Sequence, residues 1–159
     1  MKDLKELRKK YEELGEEIKR LENLKKSKRW RAELNKSYFY ISNDGNIFFT
    51  EEKNHKLDNY RYKTRNYFKT SEEAERYLEK IEIYYELMDL AEELNGEEEI
   101  DWINNEQNKY YIYFNCCEQK LKQDANWLTI RLGQIYCLNS DFLKVALERI
   151  GADRLKKLF

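Results

Sequence analysis

Two stretches of this chain, Tyr67 to Ile81 and Tyr136 to Ile150, match in spacing without a gap. Tyr67, Ser71, Glu72, Ala74, Leu78, Glu79, Lys80 and Ile81 meet Tyr136, Ser140, Asp141, Leu143, Leu147, Glu148, Arg149 and Ile150. Upstream, Asn35-Lys36-Ser37-Tyr38-Phe39-Tyr40 corresponds to Asn108-Lys109-Tyr110-Tyr111-Ile112-Tyr113, with Trp30 and Trp102 five and six residues before each Asn. Self-similarity at a fixed period implies one supersecondary unit used twice, and a copy of this size buries too little apolar surface to be comfortable alone. The expected fold class is therefore α+β: an N-terminal coiled-coil-like helix, then an internally duplicated strand-rich unit, ββ(β)α twice. Its strands should form one antiparallel sheet with the long helices on one face. The expected boundaries are residues 1–27 for an amphipathic heptad helix and 28–159 for the duplicated domain, with copy one at about 30–96 and copy two at about 102–159.

The first segment places Leu4, Leu7, Tyr11, Leu14, Ile18 and Leu21 at alternating steps of three and four, with charge almost everywhere else. This is a narrow a/d seam that two helices side by side would bury. Leu7, Tyr11, Leu14 and Ile18 are the expected self-association residues of a homodimer; the helix folding back on its own domain is the alternative. An antiparallel pairing lets Lys10 approach Glu17. The basic run Lys25-Lys26-Ser27-Lys28-Arg29-Trp30-Arg31 suits a helix C-terminus, where cations are favourable, with a phosphate or acidic-partner contact as the alternative.

Tyr38 to Ser42 and Ile47 to Thr50 read as a hairpin around Asn43-Asp44-Gly45-Asn46, with Asp-Gly supplying positive φ. Glu51 to Asn59 reads as a polar loop, and Tyr60 to Phe68 as a third strand. Thr70 with Glu73 forms a capping box for a helix ending at Asn95-Gly96. Its expected core face is Ala74, Leu78, Ile81, Tyr85 and Met88, widened by Tyr77, Tyr84, Leu87, Ala91 and Leu94. In the second copy a strand spans Lys109 to Asn115, a turn or short return spans Cys116 to Asn126, and another strand lies within Leu128 to Leu138. Ser140 caps a helix that Gly151 ends, and a last turn carries Leu155, Leu158 and Phe159 back to the core.

The residues offer no recognisable reaction machinery. His55 is the only histidine and lies in a polar stretch without a Ser or Cys nucleophile motif. Cys116 and Cys117 are adjacent, a spacing that suits neither a disulfide framework nor zinc, so small buried thiols are expected. The five glycines are scattered, without a phosphate-cradling loop. No cofactor and no metal are expected, and the chain reads as a non-enzyme. Lys plus Arg (30) nearly cancel Asp plus Glu (31), so no global field draws in nucleic acid or membrane. No membrane segment or signal segment is legible, and a cytoplasmic protein is expected.

The local exception is Asn59 to Lys69, where an extended chain would set Tyr60 and Tyr62 on one face and Arg61, Lys63 and Arg65 on the other. Basic residues interleaved with aromatics can stack bases and follow phosphates, or form the soluble face of an edge strand. Trp30, Arg31, Tyr60, Arg61, Tyr62 and Arg65 are the expected partner-binding residues.

The Tyr38 to Ile47 hairpin, Arg61-Tyr62 leading to Asn66-Tyr67-Phe68-Lys69-Thr70 with Glu72-Glu73-Ala74-Glu75, and the ending Ile150-Gly151-Ala152-Asp153-Arg154-Leu155-Lys156-Lys157-Leu158-Phe159 carry a resemblance. From about Trp30 onward the chain resembles small uncharacterised accessory proteins of phages and prophages of low-GC Gram-positive bacteria. The heptad helix is not part of that pattern. The resemblance brings no assigned site residues, but it implies stoichiometric inhibition of host defence inside the host cytoplasm. The expected function is a non-enzymatic anti-defence protein that binds a host immunity protein or ribonucleoprotein complex, with a CRISPR effector ranked first. The alternatives are a nucleotide-signal sponge and a nucleic-acid-binding accessory protein, direct nucleic-acid contact being the less favoured.

Overall fold

The computed structural model describes residues 2–26, 29–126 and 129–159. Ser27 and Lys28, in the basic run and at the expected boundary after residue 27, and Leu128, at the start of the expected last strand, lie outside the described residues. The chain is α+β, in the order α1 (Lys2–Lys26), β1 (Ser37–Ile41), β2 (Ile47–Glu51), α2 (Lys56–Lys63), α3 (Ser71–Asn95), β3 (Lys109–Asn115), β4 (Lys120–Asn126), α4 (Phe142–Arg149) and α5 (Ala152–Lys156). It divides into two compact units, residues 1–74 and 75–159. The strands form two separate two-stranded sheets, β1-β2 and β3-β4, instead of the single sheet expected.

In the first unit, α1 carries its seam in the open: Leu4, Leu7, Tyr11, Leu14, Ile18 and Leu21 are 48–81 % exposed, so the helix does not fold back to bury them. The β1-β2 register runs from Ser37↔Glu51 to Ile41↔Ile47. Of the turn residues only Gly45 has positive φ (80°), with the Gly45 N–H donating to the Ser42 carbonyl and the Ser42 N–H to the Asn46 carbonyl. Asp44 therefore stays at negative φ, unlike the Asp-Gly pair of a two-residue turn.

The expected third strand is replaced by a helix and one bridge. Asp58, at the third position of α2, accepts the His55 N–H at 2.9 Å and thereby closes the helix start. That local bond outweighs the short Tyr/Arg alternation that suggested a strand. Thr64 and Arg65 end the helix, the latter at φ 71°, and the chain returns extended so that Phe68 pairs with Phe39 through N–H···O bonds of 2.9 Å each way. Thr70 then caps α3 by accepting the Glu73 N–H at 3.2 Å, while the Glu73 carboxylate reaches back to the Lys69 N–H at 2.9 Å.

The second unit is organised by the rest of α3. Ile83, Leu87, Leu90 and Ala91 are buried and join Ile112, Ile135, Cys137, Phe142, Ala146, Ile150 and Leu155 in one apolar cluster. Tyr77 and Tyr85, assigned to the core face, are exposed; Ile83 and Leu90 take that role. Glu79, Glu86 and Glu93, seven apart on α3, pair with Lys157, Arg154 and Arg149 at 2.5–2.7 Å. Being exposed, these pairs orient the C-terminal helices more than they stabilise them.

Gly96 at φ 59° stops α3 as expected. β4 is a full strand, Lys109↔Asn126 to Asn115↔Lys120, where only a short return was expected. Among the described residues the last expected strand reduces to one bridge, Tyr110↔Cys137. The closing helix starts later than Ser140: Asn139 accepts the Asp141 N–H through its side chain and the Phe142 N–H through its carbonyl. Leu155 is fully buried and Leu158 packs on the cluster, whereas Phe159 remains exposed. Cys116 and Cys117 sit exposed in the β3-β4 turn, where the Asn115 carboxamide fixes the Cys117 and Glu118 N–H groups; of the three thiols only Cys137 is buried.

Candidate functional site

Strand alternation in β1 turns Tyr38 into the first unit, where its ring stacks on Tyr67 at 3.8 Å between centroids and 13° between planes. Tyr62 of α2 meets Tyr67 edge-on at 5.5 Å, and Trp30 tilts against it at 5.8 Å. Hydroxyls in such a cluster need partners, and two buried carboxylates supply them. Glu52 takes a two-pronged bond from Arg31 at 2.8 and 2.9 Å, the Tyr67 hydroxyl at 2.7 Å and the Asn54 N–H at 2.7 Å. Asp58 accepts the Tyr38 hydroxyl at 2.7 Å and the Lys53 N–H at 3.1 Å besides its cap bond to His55. Arg61 donates to the Tyr38 hydroxyl at 3.1 Å while its guanidinium lies 3.5 Å over the Tyr40 ring.

These bonds set the protonation states. Burial pushes the Glu52 carboxyl up, but Arg31, Tyr67 and the Asn54 N–H outweigh it and hold the group below the usual carboxylate range. Asp58 follows the same pattern, its desolvation being outweighed by Tyr38 and by the His55 and Lys53 N–H groups. Burial, with Asp58 opposing Arg61, raises the Tyr38 phenol to about 12, and burial with Glu52 raises Tyr67 further. Both acids are thus ionised and both phenols neutral at neutral pH. A charge-balanced lock results, in which the two carboxylates are set against Arg31 and Arg61.

Beside this lock opens a cleft of about 540 Å³ between the β1 end of the hairpin and α2, lined by Tyr40, Ile41, Leu57, Tyr60, Arg61 and Asn66 among others. Asn66 is held rigidly, its amide bonded both ways to the Ile41 backbone at 2.6 and 2.7 Å. At the rim, hydrogen bonds from Ser42 and Asn46 keep the Asp44 carboxyl below its ordinary value. An aromatic floor, a stacked cation and a fixed amide make a surface that can take a planar or apolar group together with an acidic one.

The six expected contact residues separate into three groups. Tyr60 and Arg61 line the cleft. Arg31 and Tyr62 belong to the lock: Arg31 is bound to Glu52, and the Tyr62 ring lies under the guanidinium groups of Arg29 at 4.3 Å and Arg31 at 5.2 Å. Trp30 covers Tyr67 while remaining partly exposed, and Arg65 is exposed at the end of α2. Leu7, Tyr11, Leu14 and Ile18 lie exposed along α1. Sequence reasoning missed Glu52 and Asp58, which fell inside the supposed polar loop. The signal for Asp58 was its position three residues after a helix-starting His55; for Glu52 it was the strand alternation running one step past Thr50.

Among the described residues no group of three or more His, Cys, Asp or Glu side chains is arranged to hold a metal ion, and no helix is long and apolar enough to cross a membrane. Comparison with protein-family models, with curated proteins and with solved structures finds no match to this chain.

Proposed function

We propose that this chain is a non-enzymatic, phage-type anti-defence protein that acts in the host cytoplasm by occupying a surface of a host immunity component, with a CRISPR effector complex as the first target to test. The observation that carries this reading is the β1-α2 cleft, where the exposed Leu57 and Tyr60 lie beside Arg61. An aromatic and apolar patch next to arginine is the composition of an interface hot spot, and the lock behind it keeps the patch preorganised. The open α1 seam supports self-association through Leu7, Tyr11, Leu14 and Ile18.

The stretches of about 30–96 and 102–159 are read as copies of one ancestral element. Each has a hairpin, a single antiparallel bridge from its first strand to the closing segment, and a Trp–Tyr ring contact, Trp30–Tyr67 at 5.8 Å and Trp102–Tyr136 at 4.9 Å. A second functional reading, a nucleotide-signal sponge, is favoured by the cleft's size and by the Arg61–Tyr40 stack, which suit a base and a phosphate.

The deciding experiment is capture of partners by the tagged full chain from a Gram-positive host lysate, with proteins and small molecules both identified. The expected outcome is a stoichiometric immunity protein that Tyr60→Ala and Arg65→Ala lose together while the melting temperature stays unchanged. A retained nucleotide without a protein selects the sponge. Retention of nucleic acid that weakens steeply with salt selects the accessory-protein alternative.

A further inference from the structure

The hydrogen bonds of β1 define what β2 offers to its outer side. Phe39 exchanges both backbone bonds with Phe68, and the N–H and C=O of Ile41 are taken by Asn66, so these residues turn their polar groups away from β2. Along an antiparallel strand the direction alternates, so Tyr38 and Tyr40 are the residues bonded to their partners Thr50 and Phe48. It follows that Ile47, Phe49 and Glu51 direct their N–H and C=O groups outward, and among the described residues no backbone bond reaches them. The edge is also apolar: Phe48 is 49 % and Phe49 70 % exposed. Natural edges are guarded by proline, inward charge or a covering element, and Ile47-Phe48-Phe49-Thr50 has neither a proline nor a charge.

We propose that this edge is a self-association site at which Ile47–Glu51 of two copies pair antiparallel about a two-fold axis through Phe49, joining two hairpins into one four-stranded sheet. This goes beyond the α1 seam and does not depend on it. The second copy is favoured as occupant because the edge is self-complementary. Only the register centred on Phe49 pairs all three outward-facing residues with residues of the strand, Ile47 meeting the second copy's Glu51 and Phe49 its own counterpart. Centring on Glu51 would set two carboxylates face to face, and centring on Ile47 would run Phe49 against the partner's Gly45 turn. In the favoured register each Glu51 faces an isoleucine while its own Lys53 lies 3.3 Å away. The Phe39–Phe49 pair, 6.2 Å between centroids, then becomes a row of four phenyl rings along one face.

The test uses the full chain with the helix seam disabled by Leu7→Glu and Leu14→Glu, followed by sedimentation over a wide concentration range. The expected result is a monomer–dimer equilibrium in which the amides of Ile47, Phe49 and Glu51 gain hydrogen-exchange protection as concentration rises. Adding Phe49→Pro, which removes an outward N–H and no bond to β1, should return the mass to that of one 19.6 kDa chain. Phe49→Lys, which keeps the backbone intact and sets two cations together at the axis, should do the same. A seam-disabled chain that is folded yet monomeric throughout overturns the proposal, as does a dimer that survives Phe49→Lys. Because the seam is disabled first, failure here is distinct from failure of helix-mediated association.

Discussion

The two units differ most in what fills them. The first is centred on stacked tyrosines whose hydroxyls donate to Glu52 and Asp58, carboxylates that also balance the neighbouring arginines, and among the described residues Ala32 is the one aliphatic member of its cluster. The second is an apolar cluster that, among the described residues, has eleven buried members from Ile83 to Leu155. Both have a Trp–Tyr contact and a single bridge, but their interiors differ in chemistry. A polar interior is geometrically demanding, because each member must meet a specific partner, whereas an apolar one asks only for volume. The first unit carries the β1-α2 cleft of about 540 Å³, and the second has an open groove of about 500 Å³ beside Leu143 and Leu147.

The largest test of that contrast is a pair of substitutions of similar cost and unlike character. Glu52→Gln leaves the Arg31 guanidinium largely buried without a counter-charge and should destabilise by about 3–5 kcal/mol. Phe142→Ala opens a cavity in the second cluster and should also cost about 3–5 kcal/mol. Denaturant titration against pH separates them. The folded carboxyls of Glu52 and Asp58 are depressed, so their stabilisation is complete above the unfolded value of about 4 and is lost as pH falls through the folded values. Phe142→Ala should keep that acid limb and Glu52→Gln should blunt it. Equal acid limbs in both variants would remove the claim that the first unit is held by charge.

How far this division could be foreseen follows from the range of the forces involved. The β1-β2 hairpin, the ends of β3 and the stop of α3 at Asn95 were legible because each is fixed within a few residues, by alternation or by a glycine. The interior of the first unit was not, because the burial of Glu52 depends on Arg31 and Tyr67, 21 and 15 residues away. Helix α2 was missed for the opposite reason: its decisive bond, Asp58 to the His55 N–H, is local but lay in a stretch whose polarity suggested a loop. On α3, period alone could not choose between the Tyr85 face and the Ile83–Leu90 face, since both are apolar.

A smaller effect distinguishes the tyrosines of the two units. Tyr38→Phe removes a bond to Asp58 and an acceptor for Arg61, and should cost about 1–2 kcal/mol. Tyr136→Phe removes bonds to the Arg131 N–H and the Thr129 carbonyl, and should cost about 1 kcal/mol. The extra cost of Tyr38→Phe shrinks in alkali. Tyr38 is raised to about 12 in the folded chain, so its neutral form stabilises fully below pH about 10 and that contribution is lost as pH rises toward 12. Thermal melts between those values should lose less ground in Tyr38→Phe than in the unaltered chain, because one of the titrating groups is gone.

The smallest perturbation uses the thiols the chain already has. Cys116 and Cys117 are exposed in the β3-β4 turn and should react promptly with a maleimide. Cys137 is fully buried, its Sγ 3.8 Å from the Ala91 carbonyl and its thiol pushed up by burial, so it should react only through opening of the second cluster. Its labelling rate therefore reads the stability of that unit without any substitution. Phe142→Ala should accelerate it by roughly a hundredfold or more, whereas Glu52→Gln should leave it unchanged. Acceleration by Glu52→Gln of the same size would mean that the polar lock and the apolar cluster open as one cooperative body, and the contrast between the two interiors would then describe composition and not independent stability.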